Sequence, residues 1–344
     1  MTGDPLHRLA PVVRLAPAKL NLTLAVVGRR DDGFHELHSV MVPLALADRL
    51  SVAVSPSATA DSLHRSGFDA GPLGDDLVLR AIAAARRAVG GGWAGAGPPP
   101  PLAARVEKRI PVAAGLAGGS SDAAAALDAA LEAWGAELDG HARLATAVTL
   151  GSDVPFFLAG GPALVEGRGE RVTPLPWLRG AAASPAVLLV TPAVQVPTPS
   201  VFVAYAAGIR GAEAAGRRIG AARMASEHLA SELRTGLTAH DLLVRASVLA
   251  SGNDLQPAAD AVVPELVPFR RALRRVTGRP VGLSGSGPTH WALYPSLAEA
   301  DAAAAAVRMA IGEGTIPRLG DGDPFVTATT IREPDPLAAE GSAR

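Results

Sequence analysis

Residues 111–127 constrain the fold more than any other segment of this 344-residue chain. They read Pro-Val-Ala-Ala-Gly-Leu-Ala-Gly-Gly-Ser-Ser-Asp-Ala-Ala-Ala-Ala-Leu and follow a strand-like segment at 102–106. Gly115, Gly118 and Gly119 allow a tight turn and a close approach of the backbone to a bulky group. The alanine-rich continuation predicts a helix, whose first N–H groups and dipole form an anion site. The segment therefore predicts a strand–loop–helix unit that binds phosphate.

The residues after the glycines support a helix start. Ser120, Ser121 and Asp122 stand where hydroxyl and carboxylate caps are favoured. Spacing argues against other glycine loops: no lysine follows as in a Walker loop, and the dinucleotide fingerprint is absent here and at 285–290. Neither loop has the Gly-x-Ser-x-Gly elbow of an esterase. The alternative is a glycine-rich turn, capped by serines, that binds no ligand.

The pattern Pro-x-x-x-Gly-Leu-x-Gly-Gly-Ser-Ser resembles the nucleotide loop of the GHMP kinases. Four segments, 16–22, 28–37, 151–157 and 284–287, are similar to segments of those GHMP kinases that act on 4-diphosphocytidyl-2-C-methyl-D-erythritol. The resemblance covers roughly residues 12–332. It implies an α/β (α+β) fold with an N-terminal nucleotide-binding domain and a smaller, ferredoxin-like C-terminal domain. It also implies ATP-dependent phosphorylation of the 2-hydroxyl of that compound, giving the 2-phosphate and ADP, in the non-mevalonate route to isoprenoid precursors.

The resemblance assigns ATP to the loop and to the lysine before it. The implied ATP-binding residues are Lys108, Pro111, Val112, Ala113, Ala114, Gly115, Leu116, Ala117, Gly118, Gly119, Ser120 and Ser121. The alternative to a nucleotide contact for Lys108 is a solvent-exposed lysine beside Glu107 and Arg109. Ala117 replaces a common glycine, and its methyl group is tolerable only if φ is negative. Magnesium is expected to arrive with ATP on phosphate oxygens and waters. Ser121 is one candidate ligand, and the metal ligands stay open.

Two residues are candidates for the chemical step. Asp153 lies at a tight turn between Gly151 and Pro155, where a carboxylate can face a cleft, and the resemblance makes it the general base. Lys19 corresponds to the family's catalytic lysine, and an ammonium group nearby would keep the carboxylate ionised. The alternatives are an ordinary turn aspartate and a strand-edge lysine that discourages aggregation.

The resemblance places the substrate's cytosine ring against Phe34 and His35. An aromatic ring can stack on the base, and imidazole or backbone can bond its edge. Phe34 stands where tyrosine is more usual, so it keeps the stacking surface and lacks the hydroxyl. Asn21 and Thr198 match other substrate-contacting positions. His35 and His38 do not form the zinc motif His-Glu-x-x-His, and two histidines without a third ligand argue against zinc.

Composition excludes several other classes of protein. Hydrophobic residues make up 48% of the chain and charged residues 19%, and the net charge is −1, so neither nucleic acid nor a membrane surface is an expected partner. The absence of cysteine excludes disulfides, thiolate metal sites and cysteine nucleophiles. No signal core or 18-residue apolar run is present. A cytoplasmic enzyme with small-molecule partners is expected.

The pattern of elements predicts three parts: residues 1–180 with the nucleotide site, residues 181–332, and a tail at 333–344. Predicted strands at 40–46 and 50–54 are joined by a turn at 47–48, and Pro17 separates strands at 12–14 and 20–27. A single helix is predicted at 258–276. Residues 208–236 show weak periodicity and are interpreted as an insertion of unknown role.

Two rival functions remain open at this point: homoserine kinase and a non-catalytic nucleotide-binding regulator.

Overall fold

The computed structural model describes residues 10–71, 75–90, 97–180, 184–208 and 212–334. Within these ranges eleven strands and eleven helices are defined. The strands are β1 (Val12–Asn21), β2 (Ala25–Arg29), β3 (His35–Val54), β4 (Ser62–Gly67), β5 (Leu102–Lys108), β6 (Ala163–Gly167), β7 (Arg171–Pro174), β8 (Ala186–Thr191), β9 (Gly282–Leu283), β10 (His290–Tyr294) and β11 (Phe325–Thr330).

The helices are α1 (Leu77–Val89), α2 (Gly118–Trp134), α3 (Gly140–Leu150), α4 (Val154–Leu158), α5 (Thr198–Gly208), α6 (Ala212–Thr235), α7 (Ala239–Val244), α8 (Ala246–Ala250), α9 (Gln256–Val262), α10 (Leu266–Thr277) and α11 (Leu297–Gly312). Most of the helices follow one another in two runs, α2–α4 and α5–α10, between groups of strands. Among the described helices, none combines the length and the apolar character that crossing a bilayer requires.

A seven-stranded sheet is organised around β3. This strand pairs antiparallel with β1, β2, β5 and β6, β4 adds to β5 in parallel, and β7 adds to β6. Helices α1 and α2 pack on the sheet through alanine, valine and leucine side chains. The small side chains of α2 bring its backbone close to the sheet, and this fixes where its N-terminus points.

The predicted turn at 47–48 and the predicted break at Pro17 are both wrong. β3 runs through Asp48 without interruption, because the Asp48 side chain accepts hydrogen bonds from the backbone N–H groups of Arg109 and Ile110 and is buried there. β1 also continues past Pro17, with a register shift between Pro17 and Lys19. A proline is tolerated at such an irregularity because the ladder is already interrupted.

A four-stranded antiparallel sheet in the order β11-β8-β10-β9 forms the second part of the fold. Phe269 and Leu273 of α10 and Val307 of α11 are buried in the core beside it. The single helix predicted at 258–276 is two helices, because Pro264 lies between them and cannot continue a helical hydrogen-bond ladder.

The first sheet ends at Pro174 and the second begins at Ala186. The proposed domain boundary near residue 180 falls in this interval and stays a prediction. Most of the predicted tail, residues 335–344, lies outside the described residues.

The segment interpreted as an insertion contains α6, a 24-residue helix. Its buried side chains include Leu229, Ala230 and Leu233, and Ser226 is completely buried. The helix contacts β2 and β3. Its described exposed positions include the apolar Met224 as well as Arg223 and Arg234, so the sequence does not separate a polar face from an apolar one.

Candidate active site

A cavity of about 1110 Å³ lies where the two sheets meet. Most of the residues predicted to bind ATP or substrate, together with both catalytic candidates, line it. These lining residues are Lys19, Asn21, Phe34, His35, Lys108, Pro111, Val112, Ala113, Ala114, Gly115, Ala117, Gly118, Gly119, Ser120, Asp153 and Thr198. Leu116 and Ser121, also predicted to bind ATP, are buried and do not line the cavity. The Leu116 carbonyl accepts a hydrogen bond from the backbone N–H of Lys19 at 3.0 Å.

The nucleotide loop packs against the late glycine loop at 284–287. The Ser284 hydroxyl donates to the Gly115 carbonyl at 3.0 Å, and the Thr289 N–H donates to the Ala114 carbonyl at 3.3 Å. Gly115 has φ +77°, and a Cβ atom there would lie 2.3 Å from the Ser284 carbonyl oxygen. Only glycine permits this contact, so the two loops form one continuous wall of the cavity.

The predicted caps of α2 are wrong in position. The helix already begins at Gly118, its N-cap is Ala117, and no side chain caps it. Ser120 therefore lies inside the first turn. The bond from the Ser121 N–H to the Ala117 carbonyl, 3.0 Å long, is the first one of the helix. The N–H groups of the three preceding residues have no helical acceptor and are available to an anion.

Ala117 contradicts the expectation of a negative φ. Its φ is +55°, and Ala113 has the same value. A side chain in this left-handed conformation costs roughly 1–2 kcal/mol, which the packing of the loop must offset.

We therefore expect Ala117→Gly to raise the free energy of unfolding by about 1 kcal/mol, because glycine adopts this conformation without strain. Urea denaturation measures the change. Ala125→Gly, inside α2, is the matched control and should lower the free energy of unfolding by about 1 kcal/mol. A loss of equal size in both variants would show that Ala117 carries no backbone strain.

Lys108 lies in a buried charge cluster with Asp48 and Asp122. Its ammonium group donates to both carboxylates, at 2.5 Å for Asp122. Burial lowers the pKa of Lys108, but the two carboxylates outweigh burial and leave it raised. Burial raises the pKa of Asp122 to about 7, and Asp48 adds to this while Lys108 opposes it. The cluster ties β3 and β5 to the start of α2. A direct contact of Lys108 with phosphate stays a prediction.

Asp153 is the residue immediately before α4, and its carboxylate makes no capping bond. The turn that carries it is fixed by Gly169, where a Cβ atom would lie 1.9 Å from the Ser152 carbonyl oxygen. The side chain is half-buried and faces the cavity. A carboxylate that is not used by the backbone and faces a cavity is available to accept a proton.

Lys19 is 3% exposed, and its ammonium group donates to Asn21 Oδ1 at 2.5 Å. Burial lowers the pKa of Lys19, and the negative charge of Asp153 partly offsets this. A Cβ atom on Gly285 would lie 3.2 Å from Nζ, so the late glycine loop leaves room for this side chain.

Lys19 and Lys108 are the only lysines among the 32 lysine and arginine side chains of the sequence. Both occur where a compact ammonium group rather than a guanidinium is buried.

Aromatic side chains line the cavity, among them Phe34, His35 and Phe202. The His35 ring stacks on Phe202 with centroids 4.7 Å apart, and Tyr205 meets it edge-on at 6.2 Å. Phe34 is 49% exposed, and the guanidinium of Arg168 lies 5.1 Å from its ring centroid. Burial, followed by the charge of Arg29, lowers the pKa of His35. Its ring is therefore neutral near pH 7.

Sequence reasoning missed Phe202 and Arg168. Phe202 lies one helical turn after Thr198, so the same face of α5 carries both, and this spacing could have indicated it. The Thr198 hydroxyl is hydrogen-bonded to Ser286 Oγ at 2.8 Å. This bond joins the start of α5 to the late glycine loop. No local signal indicated Arg168.

Comparisons with known proteins place this chain among kinases. The family described as "GHMP kinases N terminal domain" matches residues 76–161, and "GHMP kinases C terminal" matches residues 230–310. A 4-diphosphocytidyl-2-C-methyl-D-erythritol kinase of Methylorubrum extorquens is 38% identical over 297 residues, which cover 86% of this chain and 94% of that protein. The enzyme of that name from Deinococcus radiodurans is 38% identical over 304 residues, covering 88% and 91%.

Solved structures agree with the sequence matches. A crystal structure of 4-(cytidine 5'-diphospho)-2C-methyl-D-erythritol kinase matches with a TM-score of 0.63 and 34% identity over 93% of this chain and 99% of that one. A homoserine kinase from Cytophaga hutchinsonii, at 18% identity, covers 96% of each chain with a TM-score of 0.65 and shares the fold. The expected α/β fold of the GHMP kinases is thereby confirmed. The chain belongs to the 4-diphosphocytidyl-2-C-methyl-D-erythritol kinases, one family of the GHMP kinases.

Proposed function

We propose that this protein transfers the γ-phosphoryl group of ATP to the 2-hydroxyl of 4-diphosphocytidyl-2-C-methyl-D-erythritol, giving the 2-phosphate and ADP. One observation carries the proposal. Lys19, Asp153, the nucleotide loop and the aromatic rings of Phe34 and His35 all line one cavity. A phosphate donor and a nucleobase-bearing acceptor can therefore meet at Lys19 and Asp153.

The chain's own residues account for the chemical step. The Asp153 carboxylate takes the proton of the substrate hydroxyl while the hydroxyl oxygen forms a bond to the γ-phosphorus. The bond from that phosphorus to the bridging oxygen breaks, and ADP leaves with the electron pair. The Lys19 ammonium orients the hydroxyl and balances negative charge beside Asp153. The free N–H groups at the start of α2 hold phosphate oxygens.

Magnesium fits the oxygen atoms at the start of α2. Ser121 Oγ is buried and has no hydrogen-bond partner among the described residues, and Asp122 Oδ1 shares this condition. Hard oxygen ligands of this kind suit Mg²⁺, so Ser121 is our proposed ligand and Asp122 a second one. When bound, the ion would neutralise charge on the phosphate oxygens.

The aromatic residues of the cavity support an acceptor that carries a cytidyl group. Neutral His35 offers one ring nitrogen as donor and the other as acceptor, which suits the mixed edge of cytosine. Phe34 offers an exposed ring face for stacking. Homoserine and mevalonate have no base to occupy these residues, and this disfavours homoserine kinase as the rival function. A non-catalytic regulator is disfavoured by the presence of both Lys19 and Asp153.

We expect methylerythritol phosphate, which lacks the cytidyl group, to be a poor substrate. Base stacking on an aromatic ring contributes roughly 1–3 kcal/mol, so kcat/KM should fall by about 5- to 150-fold. Part of the loss should appear in kcat, because remote binding energy also positions the reacting group. Steady-state ADP release with both compounds measures this. Equal kcat/KM values would contradict the assignment of Phe34 and His35.

The proposed partners are small molecules only: ATP and the cytidyl diphosphate substrate. We place the reaction in the cytoplasm, where ATP is supplied. ADP release by the purified protein also separates an enzyme from a nucleotide-binding regulator, which would bind ATP without turnover.

A further inference from the structure

Two sets of buried hydrogen bonds, joined through the residue Thr23, link Lys19 to helix α6. Lys19 Nζ donates to Asn21 Oδ1 at 2.5 Å, and Asn21 Nδ2 donates to Ser39 Oγ at 2.9 Å. Ser39 Oγ donates to the Thr23 carbonyl at 2.6 Å. Thr23 Oγ1 and Ser226 Oγ are 2.8 Å apart, and Ser226 Oγ lies 3.4 Å from the carbonyl of a neighbouring strand residue, His38. Lys19, Asn21, Thr23, Ser39 and Ser226 are each at most 3% exposed.

The bonds allow one consistent arrangement of protons. The single Ser39 proton goes to the Thr23 carbonyl, so Ser39 Oγ can only accept from Asn21. Asn21 must therefore present its NH₂ group to Ser39 and its carbonyl oxygen to Lys19. An inverted amide would place two donors against each other at Lys19. The network thus fixes which end of Asn21 faces the ammonium group.

Helix α6 holds the side-chain hydroxyl of Thr23, the residue whose carbonyl orients Ser39. Thr23 Oγ1 accepts from the Val40 N–H at 3.1 Å and has its own proton left to donate. Ser226 Oγ accepts a hydrogen bond from Thr23 and donates one to the His38 carbonyl, so the hydroxyl protons of Thr23, Ser39 and Ser226 all have acceptors. Without Ser226, the buried Thr23 hydroxyl would have no such acceptor, and an unsatisfied buried group is costly.

We propose that Ser226 of α6 is a positioning residue: it holds the side chain of Thr23, whose backbone carbonyl orients Ser39, and so keeps Asn21 in the orientation that receives the Lys19 ammonium. This proposal rests on the proposed function only in giving Lys19 its catalytic role. It also gives a role to residues 208–236, the segment interpreted as an insertion. Helix α6 of this segment supplies Ser226 to a group of buried polar side chains that includes Lys19 of the active site. A Thr23 side chain fixed by Ser226 keeps the Thr23 carbonyl in place for Ser39.

Ser226→Ala tests the proposal, and Ser231→Ala is its matched control. Both serines lie on α6, but Ser231 is exposed and outside the network. With the network broken, Asn21 holds the ammonium less well. We expect kcat to fall about 3- to 10-fold in Ser226→Ala, with the KM for ATP unchanged, and no change in Ser231→Ala.

The protonation of Lys19 gives a readout that needs no substrate. Because the chain has two lysines, protein labelled with ¹³C-lysine gives two side-chain signals, which Lys19→Arg assigns. Asp153 is the charged group acting on Lys19, and its other neighbours, Asn21 and the Gly285 backbone, are neutral. Loss of a well-placed acceptor disfavours the charged amine. The pH midpoint of the Lys19 signal should therefore fall by about half a unit to one unit in Ser226→Ala.

Thr23→Val and Thr23→Ser keep the test decisive if Ser226→Ala folds poorly. Valine removes the hydroxyl and should lower the Lys19 midpoint, while serine keeps the hydroxyl and should restore it. Ser226→Ala and Thr23→Val could lose thermal stability and still show the Lys19 midpoint and kcat of Ser231→Ala. In that case α6 contributes only packing against β2 and β3, and the proposal is overturned. If the wild type acts on a different alcohol, the proposed function fails, and the Lys19 titration still decides this inference.

Discussion

Asp153→Asn is expected to lower kcat by about 10²- to 10⁴-fold, the usual contribution of a general base. Asparagine keeps the size and most of the hydrogen bonding of aspartate but cannot accept the substrate proton. Both ligands should still bind, because the nucleotide loop and the aromatic residues are separate from this side chain in the cavity. Steady-state kinetics and titration calorimetry with each ligand measure the two quantities.

The stability of Asp153→Asn should stay close to that of the wild type, since the carboxylate makes no capping bond in the fold. Asp139→Asn is a suitable control, because Asp139 caps α3 on an exposed surface and asparagine caps equally well. The control should keep normal kcat and stability. Near-normal turnover in Asp153→Asn would remove this residue as the base.

Lys19→Ala is expected to lower kcat by an amount comparable to Asp153→Asn. The substitution removes the charge that balances Asp153 and leaves the Asn21 carbonyl oxygen without its donor. Lys19→Arg should not restore activity, because the wall formed by Gly285 fits an ammonium group and the larger guanidinium would have to displace it. Thermal unfolding of both variants checks that the loss is not one of folding.

The double variant Lys19→Ala with Asp153→Asn should be little slower than the slower single variant. Residues that act as one unit show strongly non-additive losses, because the first substitution already abolishes what the second would remove. Rate constants for the three variants and the wild type complete the cycle. Fully multiplicative losses would mean that Lys19 and Asp153 do not work as a pair.

The nucleotide loop and most of the site could be predicted from the sequence, because local patterns carry them. Glycine spacing and alanine runs determine the turn and the following helix with little help from the rest of the chain. Lys19 and Asp153 lie far apart in sequence. The structure brings both to the cavity, as their motifs implied, and their roles stay proposals.

Features that depend on long-range partners could not be predicted. Asp48 reads as a turn residue, yet it lies inside a strand, because two backbone N–H groups more than sixty positions later satisfy its carboxylate. Ser226 bonds to a residue 203 positions earlier, and nothing in its neighbourhood indicates this. The positive φ of Ala117 likewise follows from the packing of the loop, against the preference of alanine itself.

Turnover across a panel of alcohols tests the central claim most directly. The purified protein with magnesium and ATP is offered the cytidyl diphosphate of methylerythritol, homoserine and mevalonate, with ADP release as the readout and ³¹P NMR to locate the new phosphate. We predict rapid ADP release with the cytidyl compound alone and a phosphate ester at its 2-hydroxyl. Faster turnover of homoserine or mevalonate, or phosphorylation at another hydroxyl, would contradict the account.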